Sequence, residues 1–448
     1  MNADAADSLD VKTEQQNLIS TIEKILSEAK IKGATQSSVA VSKVIGLSTT
    51  VRNQDIETLE FNQDCGFGIT VYIGKQKGNA STSDTSIDSI KRTVQAAVDI
   101  AKQTGEDPYS GLADEALMAS DIIDLDLDHP MGITADRAQQ IALQSESALL
   151  DAGAESDGSS FSSHRSIHAY GNSHGFIASH ASSRHSHSAV AIAKDDAGMQ
   201  RDYYYSVSRQ AKDLDDAQYI GARAAEKSQQ RLGAKPISTG QYPILLNPDI
   251  AVGFLGHIMA AIKGAKLYRK SSFLLDSLEQ KLMPDFVNIY ERPHIKGALA
   301  SRCYDAEGVA TRNQNFFTNG VLKSYILSSY SGRRLDMQTT GNAGGVHNLH
   351  ISDTGQDQEQ LIQEMGTGLI ITEVMGQGVN IVTGDYSRGA SGFWVENGEI
   401  IHPVDGITIA GNLKQMMANI VAIGTDRPSY LSTRSGSILL SPMTVAAS

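Results

Sequence analysis

Across 448 residues the chain carries 38 Lys and Arg against 51 Asp and Glu, a formal net charge of −13, with 40% apolar and 6% aromatic residues. This is the composition of a soluble globular protein long enough for two or three domains. An acidic surface without a basic block, and few aromatic platforms, argue against nucleic acid and anionic membranes as partners.

After the acidic start, Thr13-Glu14-Gln15-Gln16 reads as a capping box. It opens a helix whose Leu18, Ile19, Ile22, Ile25, Leu26 and Ala29 share one stripe, closed by Gly33. Two or three strands are predicted from Ser37 to about Phe61, another over Gly68–Gly74, and a hairpin loop from Gly74 to Gly78. A second helix spans about Ser86–Gly105, and an acidic, looser connection follows between Asp107-Pro108 and Asp128-His129-Pro130. A third helix runs from near Thr134 to Gly153. From Ser159 to Ser208 the pattern becomes a meander, with turns at Asn172-Ser173-His174-Gly175 and Lys194-Asp195-Asp196-Ala197-Gly198. A fourth helix, about Leu214–Leu232, stops at Gly233.

Lys235-Pro236 marks the expected main boundary, giving residues 1–234 as an N-terminal region, with a subdomain break near 106–133, and residues 235–448 as a β-rich domain with few helices. The class is α+β, because no regular βαβ alternation appears. The second domain opens with a short strand, Tyr242–Leu246, and an Asn247-Pro248-Asp249 helix start. Ala251, Phe254, Leu255, Ile258, Met259 and Ile262 then give one apolar face, with Gly264 as the expected stop. Thr318-Asn319-Gly320 and Glu396-Asn397-Gly398-Glu399 are hairpin signals. Two further helices are expected, about Asp357–Met365 and about Asn412–Val421.

A zinc-peptidase helix needs two His on one face with a Glu as general base. The helix after Pro248 has one, His257, and a lone His reads first as a packed neutral imidazole. Six of the twelve histidines fall between His164 and His187. His164 and His168 have metal-like spacing, but in a strand they stand roughly 13 Å apart along the chain. His185 and His187 share a face, no acidic residue accompanies the group, and Ser fills the gaps, so a polar, half-exposed sheet face is the better reading. The run Gly341-Asn342-Ala343-Gly344-Gly345-Val346-His347 could cradle an anion, yet it matches no phosphate motif and reads first as a close-approach turn. Asp64 and Asp385 have no visible acid-base partner, and the GxSxG string Gly171-Asn172-Ser173-His174-Gly175 falls in a turn of the meander rather than in a strand-to-helix nucleophile elbow.

The run from Thr383 to Glu399, TGDYSRGASGFWVENGE, resembles the TldD/PmbA family of modulator-of-gyrase peptidases. Asn172–Gly175, the strand and helix at 242–264, TTGNAGGVHN at 339–348 and HPVDGITIAGNL at 402–413 fit the same resemblance, which covers essentially the full chain. The resemblance implies two kinds of subunit. The TldD kind carries HExxxH on the helix after the first strand of the C-terminal domain, with a Cys ligand near the C-terminus. Here Gly256, His257, Ala260 and Ala261 occupy that motif, and no Cys follows Cys303. The chain therefore resembles the PmbA or TldE kind, with no catalytic residues and no metal of its own.

That resemblance implies a heterodimer with a TldD-like subunit bearing the zinc, a homodimer when alone, and unfolded or leader-bearing peptides as substrates. Peptide would enter by strand addition at an exposed sheet edge, and His257, Asn342, His347 and Asp385 are the groove candidates. Two cysteines, no apolar run of about 18 residues and no export signal in MNADAADSLD make cytoplasm the expected location. Two alternatives stay open: a self-sufficient hydrolase using His257 or the 164–187 histidines, and a non-enzymatic peptide-binding scaffold.

Overall fold

The computed structural model of the chain describes residues 9–196 and 198–447. The acidic start at residues 1–8, and Ala197 of the expected 194–198 turn, lie outside the described residues. In chain order the first half is α1 (Val11–Ile31), β1 (Gln36–Arg52), β2 (Asp55–Ile73), β3 (Gln76–Thr82), α2 (Ile87–Gln103), α3 (Ala135–Asp151), β4 (Glu155–Asn172), β5 (Ile177–Asp195), β6 (Gly198–Ser208) and α4 (Ala217–Gln230). The strands form one antiparallel sheet in the order β3-β2-β1-β4-β5-β6.

On one face of β1, Val39, Val41, Ile45, Leu47, Thr49 and Val51 are buried, with the half-buried Lys43 as the break in the series, as period-two alternation requires of a sheet covered on one side. α1 and α2 cover one end of that face, with Ile22, Ile25, Val94 and Val98 against Val39, Val41, Ile69 and Ile167. α3 and α4 cover the other end, with Ala138 and Ala142 against Leu47, Val51 and Phe161, and Ile220 and Ala224 against Ala189 and Ala191. Gly221 lets α3 and α4 touch: a Cβ there would sit 1.9 Å from the Ser145 carbonyl oxygen. The β1–β2 hairpin turns at Asn53 and Gln54, both at positive φ (54° and 63°). The buried Glu146 carboxylate holds this turn by accepting both backbone N–H groups at 2.9 and 2.7 Å.

The second half comprises β7 (Gly240–Leu246), α5 (Pro248–Ala261), α6 (Gly264–Tyr268), β8 (Ile289–Glu291), β9 (Gln314–Thr318), β10 (Val321–Leu322), α7 (Ser329–Arg334), β11 (Leu349–Ile351), α8 (Gln358–Met365), β12 (Gly368–Met375), β13 (Asp385–Glu396), β14 (Glu399–Asn412), α9 (Leu413–Ala418), β15 (Ile420–Ile423), β16 (Thr433–Arg434) and β17 (Ile438–Ala446). Its main sheet runs β14-β13-β12-β7-β17-β15, and a further β14–β17 pairing closes five of these strands into a ring. A small sheet, β10-β9-β8-β11-β16, packs through Phe316, Phe317 and Ile351 into the core that receives α5. The chain is thus α+β throughout.

Several expectations need correction. The N-cap of α1 is Asp10, whose carboxylate accepts the Lys12 and Thr13 amides, rather than Thr13. The strands expected separately at Ser37–Phe61 and Gly68–Gly74 are two long ones, because β2 continues unbroken from Asp55 to Ile73. α5 ends at Ala261, and Gly264 begins α6 instead of stopping α5. The last helix stops at Ala418, and Ile420–Ile423 is strand.

The acidic connection is pinned rather than loose. Ala119 N–H donates to Gly308 O, Ala310 N–H to Leu117 O and Gly297 N–H to Leu125 O. Arg333 donates to the carbonyls of Tyr109, Gly111 and Leu112, and Tyr330 Oη to Asp107 at 2.7 Å. This strap ties the second half to the first.

Gly221→Ala should cost roughly 1–3 kcal/mol by forcing α3 from α4. Gly253→Ala on α5, where a Cβ meets nothing within 4 Å, should be neutral or stabilising by about 0.5–1 kcal/mol. Thermal unfolding of the two variants checks the contrast; equal shifts would show that α3 and α4 are not in contact.

Candidate functional site

α5 begins where the sequence places it. Asn247 is its N-cap, although the Asn247 side chain accepts from Gln358 Nε2 at 2.7 Å instead of capping the helix. Ala251, Phe254, Leu255, Ile258, Met259 and Ala261 face the core. The opposite flank presents Gly253 and Gly256, both exposed, then the half-buried His257 and Ala260. A Cβ at Gly256 would meet nothing within 4 Å.

The His257 ring meets Tyr386 edge-on, with centroids 6.2 Å apart. Burial pushes its pKa down, and the nearby Arg388 guanidinium pushes it further. Both effects favour the neutral form of the His257 imidazole. Asp385, next to Tyr386, is exposed at the start of β13 and accepts from Thr383 Oγ1 at 2.6 Å and Asn412 Nδ2 at 3.5 Å.

Asn342 and His347 belong to a different arrangement. Both are buried and converge on Glu291, itself 1% exposed at the end of β8. Asn342 Nδ2 donates to Glu291 Oε1 at 2.8 Å, and the His347 backbone N–H donates to Oε2 at 2.7 Å. The His347 ring Nδ1 stands 3.7 Å from the same carboxylate without a hydrogen bond. Beside it, Asp305 accepts the backbone N–H groups of Ala343, Glu307 and Val309. Burial outweighs those bonds and raises the Asp305 carboxyl to about 6. The chain's own carboxylates thus hold the amides of this glycine-rich loop, with Gly341, Gly344 and Gly345 supplying the positive φ of its turns (75°, 94° and 134°).

The structure therefore groups the four candidates in pairs: Asn342 with His347 on Glu291, and His257 beside the Tyr386 neighbour of Asp385. Sequence reasoning missed Glu291 and Asp305. The signal for either was no more than an acid directly after a tyrosine, in NIYERP and RCYDAEG.

Of the six 164–187 histidines, His174 lies in the β4–β5 turn, 3.2 Å from the Ala113 carbonyl, and the other five divide between the two faces of the first sheet. His164, His168 and His180 lie half-buried on the open face, among Ser160, Ser162, Ser166, Ser182, Ser186 and Ser188. The His168 and His180 rings stack at 5.5 Å, and His180 Nδ1 lies 3.4 Å from Tyr304 Oη. His185 and His187 are 1% and 2% exposed on the helix-covered face, which corrects the half-exposed reading for these two. His185 bonds Ser163 Oγ and the His129 carbonyl, and His187 packs edge-on against Phe161. Among the described residues no group of three or more His, Cys, Asp and Glu is arranged to hold a metal ion.

At the other end of the open face, Asp249 in the first turn of α5 lies close to Tyr203 and Tyr205 of β6. Both phenol pKa values are raised, by burial first and then by this carboxylate. The start of α5 and the Ser/His face of the first sheet therefore adjoin. No described helix is long and apolar enough to cross a membrane.

Family models for the PmbA/TldA metallopeptidase match three parts of the chain: domain 1 at residues 38–101, the central domain at 128–232 and the C-terminal domain at 239–447. Metalloprotease PmbA of Escherichia coli O157:H7 is 46% identical over 424 residues, covering 94% of each chain. A PmbA homologue of Haemophilus influenzae is 46% identical over 441 residues, covering 97% of each. A crystal structure from Bacteroides thetaiotaomicron, described as a modulator of DNA gyrase, superposes with a TM-score of 0.90 at 24% identity, covering 96% of this chain and 99% of that one.

Burial lowers the His187 pKa to about 4. An imidazole whose folded pKa lies below its unfolded value of about 6.5 takes up a proton on unfolding, so its contribution is complete above that value and is lost as pH falls through it. At pH 5 the loss should reach about 2 kcal/mol. Denaturant unfolding at pH 7 and pH 5 should show an acid-induced loss smaller by about that amount in His187→Phe; the same loss in both proteins would contradict the assignment.

Proposed function

The chain belongs to the PmbA/TldA metallopeptidase family, and from that premise we propose that it is the PmbA-type subunit of a two-chain metalloprotease acting in proteolysis and peptide maturation. The observation that carries the reading is the open flank of α5. The helix is built and packed as the scaffold for a metal motif, yet Gly256, Ala260 and Ala261 have no donor atoms and His257 is the single imidazole on that flank. A catalytic zinc needs three protein ligands and a base for its water. This donor set does not fit such an ion.

In this reading a TldD-like partner brings the zinc, and this chain contributes wall and binding surface to a shared, cytoplasmic peptide chamber. An extended, unfolded or leader-bearing peptide lies along the Ser/His face of the first sheet, at its junction with α5, and is taken by strand addition at a sheet edge. His257 and Asp385 touch the peptide directly. Asn342 and His347 act from the buried loop by fixing its shape through Glu291. Without the partner, two copies of this chain cover the same surface as a homodimer.

Metal analysis of the purified chain, alone and co-expressed with a TldD-like protein, together with cleavage of an unfolded peptide, tests the proposal. The chain alone should carry no stoichiometric metal and cleave nothing, and both properties should appear in the complex. Stoichiometric zinc with chelator-sensitive cleavage by the chain alone would overturn it.

A further inference from the structure

The outer edge of β2 is paired with β3 only from Phe67 to Ile73. Among the described residues, the stretch from Asp55 to Cys65 pairs with β1 on its inner side and with no strand on its outer side. The hairpin register says which groups are free. Ile73 and Gln76 close the two-residue Gly74-Lys75 turn, and the closing pair of such a hairpin exchanges hydrogen bonds. Ile73, Val71, Ile69 and Phe67 therefore turn their backbone toward β3. By the same parity Cys65, Gln63, Phe61 and Leu59 point their N–H and C=O groups away from β1 into solvent.

The side chains of this edge are sorted. Ile56, Leu59 and Phe61 are 50%, 45% and 36% exposed. They continue the helix-covered face, opposite Val51, Thr49 and Leu47, past the reach of α3. Glu60 and Asp64 lie on the open face opposite Ser48 and Val44, with Asp55 and Glu57 near the tip, Glu57 being 3.5 Å from Arg52. No Lys, Arg or His occurs between Asn53 and Gly74.

We propose that this edge is a docking site for one extended strand of a different polypeptide. That strand carries Lys or Arg on the side of Glu60 and Asp64 and apolar residues on the side of Leu59 and Phe61. A second copy of this chain is the wrong occupant, because antiparallel self-pairing would set carboxylates against carboxylates with no cation between them, and like charges across a ladder destabilise it. Charges on an edge also serve simply to prevent pairing. A blocked edge has no use for a row of exposed apolar side chains, and this one has three. The inference needs neither a metal nor cleavage, so its assay stands or falls apart from the two-chain peptidase reading.

The probes are a labelled, end-capped peptide of alternating Lys and Val, roughly ten residues to match the free edge, and its Glu/Val counterpart. Each is titrated with the full chain by fluorescence anisotropy. The Lys/Val peptide should bind, and the Glu/Val peptide should bind roughly tenfold more weakly or not at all. Gln63→Pro removes one outward donor without a β1 hydrogen bond or a change of charge, and should weaken binding roughly tenfold. Glu60→Lys/Asp64→Lys should reverse the preference between the two peptides and covers the case in which Gln63→Pro fails to fold. Unchanged binding by a folded Gln63→Pro variant would overturn the proposal. So would an equal loss from reversing two distant carboxylates, Glu359→Lys/Glu399→Lys, since that would mark general attraction to an acidic protein.

Discussion

A β-strand turns successive side chains to opposite sides, and four helices are available to cover one side of a six-stranded sheet. That geometric constraint sets the character of the first half. The covered face takes Val, Ile, Phe and Ala, together with the buried His185 and His187. Apart from the end that Leu125, Leu127 and Tyr304 cover, the opposite face must be stable in water without a layer over it, and Ser, Thr and His, which offer hydrogen bonds without fixed charge, satisfy that requirement. The strand hydroxyls partly satisfy one another, as Thr50 with Ser160 and Ser162 with Ser186 do. The result is a polar, serine-rich surface adjoining the start of α5.

Three buried carboxylates do comparable work elsewhere. Glu146 holds the tip of the β1–β2 hairpin, Glu291 gathers the Asn342 amide and the His347 backbone, and Asp305 takes three backbone N–H groups. Each supplies acceptors to loop amides that have no ladder to join. The glycine-rich loop consequently has its shape before any ligand arrives.

Local order was legible in the sequence. The four N-terminal helices, the Asn247-Pro248 helix start and the hairpin at Asn319-Gly320 all follow from caps, periodicity and turn residues. The family was legible too, through the TGDYSRGASGFW run. What could not be read was whatever depends on distant partners. His185 and His187 carry the same alternation as His164 and His168, and only the placement of helices decides which pair is covered. Residues 107–133 have no periodicity because their hydrogen bonds go to scattered distant partners, among them Gln36, Lys75, Ser183, the 297–310 segment and Arg333, so they read as loose when they are fastened along their length. At the candidate site the positions were legible and the pairing was not. Nothing in the sequence joins Asn342 and His347 to Glu291, half a hundred residues earlier on a three-residue strand.

The strap has a consequence for the order of events during synthesis. The first helix, hairpin and second helix can assemble as soon as they leave the ribosome, because their contacts are local. Residues 107–127 emerge next and can meet the first sheet at Gln36, Lys75 and Ser183, but their bonds to the 297–310 segment and to Arg333 wait until those residues have been made. For most of translation, then, the nascent chain carries an acidic stretch with only part of its bonds formed. The last third of the polypeptide both completes its own domain and seals the first, so a truncation that spares every residue of the N-terminal sheet would still leave that sheet with its strap undone.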